Sequence, residues 1–98
     1  MEFGIITGTV VCTAKDAGIS GAKLLMVQPV DDELKAASTP LVGIDSVGAG
    51  EGELVLFVKG SSARMTEATD NRPVDCTIIA IVDNIEKNGK TIFTKYGD

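Results

Sequence analysis

The side chains of this sequence that could do chemistry fall into four groups, and each lacks a partner that its chemistry requires. Ser61 and Ser62, in the run Gly60-Ser61-Ser62-Ala63-Arg64, put two hydroxyls beside a cation. A serine becomes a nucleophile when a positioned base takes its proton. The chain contains no histidine, and Lys59 is a single flanking amine without a supporting motif. The serines are therefore expected to cap a short helix over residues 63–68, where a hydroxyl oxygen accepts a first-turn N–H. Arg64 is suited to a bidentate pair with a carboxylate, including one on a neighbouring subunit.

The glycine cluster Gly48-Ala49-Gly50-Glu51-Gly52 has the composition of a phosphate cradle but not its context. A dinucleotide fingerprint opens a helix, and a P-loop ends in Lys-Ser/Thr; here residues 53–59 read as a strand. The glycines read as a loop where backbone approaches backbone closely. Asp31-Asp32-Glu33 is acidic without the spacing of an EF-hand, and reads as a solvated loop. Cys12 and Cys76 stand in strand-like segments without a C-x-x-C motif, and are expected to be reduced, buried and slow to react. No catalytic residue, cofactor or metal ligand set is expected, and the chain is not expected to be an enzyme.

The elements that would position these residues are almost all strands. Residues 5–13, 23–30, 41–47, 53–59, 77–86 and 91–96 are rich in Val, Ile, Leu and Thr and are separated by Gly, Pro and Asp clusters. Asn88-Gly89 favours a tight hairpin, since both positions tolerate positive φ. At 98 residues the chain has room for one core, so residues 1–98 are read as a single domain. The fold class expected is all-β, a small barrel with one short helix.

Composition narrows the partners. Nine basic against 14 acidic residues give a net charge of −5, which opposes binding to a phosphate backbone. Apolar residues make up 44% of the chain and aromatics 4%, so the greasy mass is aliphatic and exceeds what a small monomer can hide. Residues 54–58 and 78–82 are apolar without alternation. Side chains alternate faces along a strand, so both faces of these strands must be covered, one of them by another subunit. Such five-residue runs are far too short for a membrane-spanning helix. Met1-Glu2-Phe3-Gly4 lacks the basic start of a signal peptide, and a cytosolic location is expected.

The order of the motifs carries more than any one of them. Gly8-Thr9-Val10-Val11 with Thr13 and Lys15, Gly21-Ala22-Lys23-Leu24-Leu25, and Val27-Gln28-Pro29 are followed by Leu41-Val42-Gly43-Ile44-Asp45-Ser46-Val47-Gly48-Ala49-Gly50. Gly52-Glu53, Gly60-Ser61-Ser62-Ala63-Arg64, Pro73-Val74-Asp75 and Ile81-Val82-Asp83 complete the set. This ordered set resembles the EutN/CcmL family, the pentameric vertex proteins of bacterial microcompartment shells. Cys12, Cys76 and Glu51 depart from the usual pattern, and the tail after Asp83 is its least constrained part.

The resemblance implies an OB-like closed barrel assembled as a homopentamer, located in a microcompartment shell within the cytoplasm. It further implies hexameric shell tiles as partners, and neither nucleic acid nor membrane. Gly48, Ala49, Gly50, Glu51 and Gly52 are expected near the fivefold axis, where converging backbones leave little room for side chains. Asp45, Phe57, Ser61, Ser62 and Arg64 are expected at the subunit interface. The competing reading is an OB-like oligomer that binds a small molecule or single-stranded nucleic acid, a use that wants basic grooves and stacking aromatics.

Overall fold

The strongly β-forming stretches pair as a closed sheet in the computed structural model, which describes residues 1–96. Strands β1 (Glu2–Val10), β2 (Leu24–Val30), β3 (Leu41–Asp45), β4 (Leu54–Lys59) and β5 (Cys76–Ile81) follow one another around a barrel as β1-β2-β3-β5-β4. Closure comes from β4 returning to β1 through Glu2↔Phe57, Phe3↔Leu56, Gly4↔Val55 and Ile5↔Leu54. All neighbours are antiparallel except β3 and β5, which run parallel through Ile44↔Thr77 and Asp45↔Ile78. This is the five-stranded, small-barrel architecture expected of an OB-like domain. Strands β6 (Asn84–Lys87) and β7 (Lys90–Thr94) form a separate hairpin.

One strand can serve two neighbours because it is long and bent. Over Phe3 to Ile5 β1 pairs with β4 on one edge and β2 on the other, and past a register shift between Ile6 and Gly8, a bulge that bends it, it continues along β2 as far as Val10. Inside, Ile6, Leu25, Val27, Val55, Phe57, Cys76 and Ile78 pack together with Ala49, and Leu41 and Ile81 pack against them. Val55 and Phe57 point inward, so Leu56 and Val58 face outward, and both are half-buried. Phe3 and Ala80, paired with Leu56 from either side, are also half-buried. An apolar row thus crosses β1, β4 and β5 on the outside of the barrel.

Several elements differ from the sequence reading for identifiable reasons. The first strand begins at Glu2 and ends at Val10, because its polar and glycine-containing start is held by pairing to β4, which leaves no local signal. Cys12 therefore lies beyond the sheet and is exposed on the chain, whereas Cys76 is buried as expected. The strand expected over 77–86 is two strands, broken at Val82 and Asp83. The expected helix over 63–68 is instead a 3-10 turn at Gly60–Arg64. It is preceded by Lys59 without any side-chain cap, so neither serine caps a helix. Asp31 organises its own loop, its Oδ1 accepting from the N–H of Glu33 (2.8 Å) and Lys35 (3.0 Å), which leaves Leu34 at φ 65°. The Asn88-Gly89 turn closes its hairpin as expected, with φ of 53° and 77°.

Two outcomes follow from this packing. A β-carbon on Gly4 would overlap the Val27 side chain and stand 3.0 Å from the Phe57 ring. Gly4→Ala is expected to lower stability by about 1–3 kcal/mol, read from urea unfolding at fixed protein concentration; an unchanged midpoint would show that the barrel yields there. Burial pushes the Cys76 thiol up to about 11. About one Cys76 in a thousand is then thiolate at pH 8, so a thiol reagent should label Cys12 on the dissociated chain well before Cys76. Equal labelling rates for the two thiols would contradict this placement.

Candidate functional site

The loop between β3 and β4 is shaped by charged side chains acting on its backbone. Asp45, the last residue of β3, turns its Oδ1 back to accept from the N–H groups of Val47 and Gly48, each at 3.1 Å. Its other oxygen lies 3.8 Å from Lys23 Nζ, and the Asp45 side chain is only 2% exposed. Lys23 also donates to the Ala49 carbonyl at 3.3 Å. Gly48 and Gly52 adopt φ of 76° and 88°, so a side chain at either would be strained and glycine is favoured at both. At the far end Glu53 Oε1 accepts from Gly50 N–H at 2.6 Å, while Glu53 N–H donates to the Gly50 carbonyl at 3.1 Å. Gly52 N–H donates to the Ile6 carbonyl (2.7 Å) and Ile6 N–H to the Glu53 carbonyl (3.0 Å), which stitches the loop onto β1.

These bonds turn Ala49 into the barrel interior, where it is fully buried. Its side chain therefore lines no axis, and the loop is a plug over one mouth of the barrel. Glu51 is exposed and Gly50 half-buried. They form the outward part of the loop. A β-carbon on Gly50 would meet Glu53 Oε1 at 3.4 Å, an ordinary contact, so the chain's own fold does not demand glycine there. Lys95 Nζ lies 2.7 Å from Glu53 Oε2. Hydrogen bonding from Lys95 and from Gly50 N–H holds the Glu53 carboxyl below the usual carboxylate range.

The turn at Gly60–Arg64 is the other candidate surface. Gly60 (φ 67°) donates to the Asp75 carbonyl at 2.9 Å, and the buried Thr77 hydroxyl donates to the Ala63 carbonyl at 2.6 Å. Ala63 is thereby fixed inward, while Ser61, Ser62 and Arg64 are exposed. Arg64 Nη1 donates to the Val74 carbonyl at 3.1 Å, so within the chain it braces the 64–74 segment rather than pairing with a carboxylate.

One residue expected at the subunit interface is corrected by burial. Phe57 is completely enclosed in its own barrel and offers no surface to a neighbour. Asp45 spends its carboxylate on Val47, Gly48 and Lys23 of its own chain. The structure adds Lys23, Glu53, Lys95 and Thr77 as residues that hold these two segments. Only Glu53 had a sequence signal, since a carboxylate three positions after Gly50 can reach back to its N–H. Among the described residues no group of three or more Cys, Asp or Glu side chains is gathered to hold a metal ion.

What the arrangement offers is shape: a plugged barrel, an outward loop and an apolar outer row. The comparisons with known proteins agree in kind. Residues 1–83 match the model of the family described as ethanolamine utilisation protein EutN/carboxysome. The chain is 43% identical over 95 residues to the bacterial microcompartment shell vertex protein EutN of Salmonella typhimurium, covering 97% of this chain and 96% of that one. The solved structure of Nostoc sp. CcmL superposes with a TM-score of 0.92 at 42% identity, over 97% of this chain and 100% of that chain. The GrpN pentameric microcompartment shell protein from Rhodospirillum rubrum superposes with a TM-score of 0.80 at 39% identity, over 89% of this chain and 99% of that chain. The chain described above therefore belongs to the EutN/CcmL family.

Proposed function

We propose that five copies of this chain close into a ring that caps a vertex of a bacterial microcompartment shell. The observation that carries this reading is likeness over nearly the whole of both chains to proteins named as shell vertex proteins. A ring of five has a heterologous interface that must close on itself rather than propagate. Set among flat hexameric tiles, such a ring introduces the curvature a polyhedral shell needs. The hexameric tiles are thus the second partner, the shell in the cytoplasm is the location, and the role is geometric rather than enzymatic.

The surface available for the ring supports this reading. The outer row of Phe3, Leu56 and Ala80, continued by Val58, is the apolar surface that an obligate interface buries. Ser61, Ser62 and Arg64 stand exposed on a rigid turn from which they reach a neighbour. The loop of Gly48, Gly50, Glu51 and Gly52 approaches the fivefold axis, with Ala49 anchoring it from within. Gly50 has room for a β-carbon in the single chain, so in this reading a limit on its size is set by the ring.

Native mass spectrometry at micromolar concentration should show a pentamer. Leu56→Asp, at a half-buried outward position, should convert it to smaller species that keep the far-UV signature of the barrel. Gly50→Leu should leave the monomer folded and impair the ring. Pentamers as stable as wild type in both variants would overturn this placement of the interface and axis. Deletion in the native host should give elongated or open shells by electron microscopy, with encapsulated activities intact in lysate. Closed shells in a strain without a second vertex paralogue would refute the vertex role.

A further inference from the structure

The C-terminal hairpin shares no strand pairing with the barrel. A lone two-stranded hairpin is marginal in water and needs attachments. Two of its attachments are ion pairs: Lys87 to Asp32 at 2.5 Å and Lys95 to Glu53 at 2.7 Å. They are not equivalent. The Lys87 side chain is 54% exposed, whereas Lys95 and Glu53 are 25% and 23% exposed, so solvent and salt screen the second pair less. Lys95 is further fixed by its own backbone, whose N–H donates to the Asp83 carbonyl at 2.7 Å, and its ammonium stands 5.4 Å from the centre of the Tyr96 ring.

Glu53 divides its carboxylate between two masters. Oε2 takes the Lys95 ammonium, and Oε1 takes the N–H of Gly50. Removing the ammonium leaves Oε2 half-buried without its counter-charge, and the carboxylate regains full solvation by swinging away from the loop. Gly50 N–H would then lose the acceptor that fixes the outward part of the loop. From this chain of contacts we propose that the hairpin is a strap on the glycine loop, and that Lys95 is a positioning residue for that loop. Both the hairpin and Lys95 lie beyond the residues 1–83 that match the family's model. The consequence for the ring rests on the vertex reading; the coupling of hairpin to loop does not.

Amide hydrogen exchange at Gly50 and Gly52 tests the strap, with Val55 and Ile78 as core controls. In Lys95→Gln, exchange at Gly50 should accelerate about two- to fivefold, the effect of a partly shielded ion pair, while the core amides stay at their wild-type rates. Lys95→Arg, which preserves the cation, should restore protection. Glu53→Ala, which removes the acceptor itself, should expose Gly50 at least as much as Lys95→Gln, and combining the two should add nothing further. Unchanged Gly50 exchange in Lys95→Gln, or an equal rise at Val55 and Ile78, would overturn the proposal. Native mass spectra of the same samples keep the two readings apart. A wild-type chain that never forms pentamers would defeat the vertex reading and leave the exchange result standing.

Discussion

A barrel of five short strands has open mouths, and its interior stays dry only if backbone is laid across them. Here Ala49 is pressed into one mouth by the β3–β4 loop, in contact with the core residues around Phe57. The rest of the site follows from that plug. A loop that must carry a small apolar side chain inward has to reverse direction on both sides, hence positive φ at Gly48 and Gly52. Apart from the bond of Gly52 N–H to Ile6 of β1, its N–H and C=O groups lie outside the ladder and then need other partners. Asp45, Lys23 and Glu53 supply them.

Filling the interior this way fixes what is left outside. With Val55 and Phe57 committed inward, the alternation of the strand sends Leu56 and Val58 outward, and the pairing aligns Leu56 with Phe3 and Ala80. A strand that is apolar on both faces is costly to leave half-wet. The same pleat that completes the core therefore generates the surface suited to a neighbouring subunit. Glu51 is exposed, in a chain whose net charge is −5.

The charged groups of the site are structural tools rather than reactive ones. Glu53 is held below the usual carboxylate range by Lys95 and by Gly50 N–H, so it stays ionised and keeps accepting hydrogen bonds through the physiological range. The Asp45 side chain has almost no contact with solvent, yet its oxygens are occupied by two backbone N–H groups and lie near one lysine. Placed at the two ends of one loop, the two carboxylates hold a glycine-rich segment that would otherwise sample many conformations.

Local pattern carried much of this in the sequence. Runs of β-branched residues broken by glycine, proline and aspartate marked most of the strands, because strand propensity and turn chemistry act within a few residues. The unalternating runs at 54–58 and 78–82 marked strands that are apolar on both faces, and the missing histidines removed the commonest catalytic base. The ordered motifs from Gly8 to Asp83 carried the family itself. Other features depended on partners far along the chain. Glu2 to Gly4 became strand because β4 lay beside them, Cys12 fell outside the sheet, and the serine-rich turn tightened because Thr77 caught Ala63 from 14 residues away. Phe57 was not legible as buried, nor the Asp45 side chain as enclosed, since facing is set by register and register by barrel closure. The link from Lys95 to Glu53 spans 42 positions, and no local rule reaches that far; only the folded chain brings that ammonium to that carboxylate, because the contact exists solely once the barrel has placed the start of β4 and the separate hairpin lies against it.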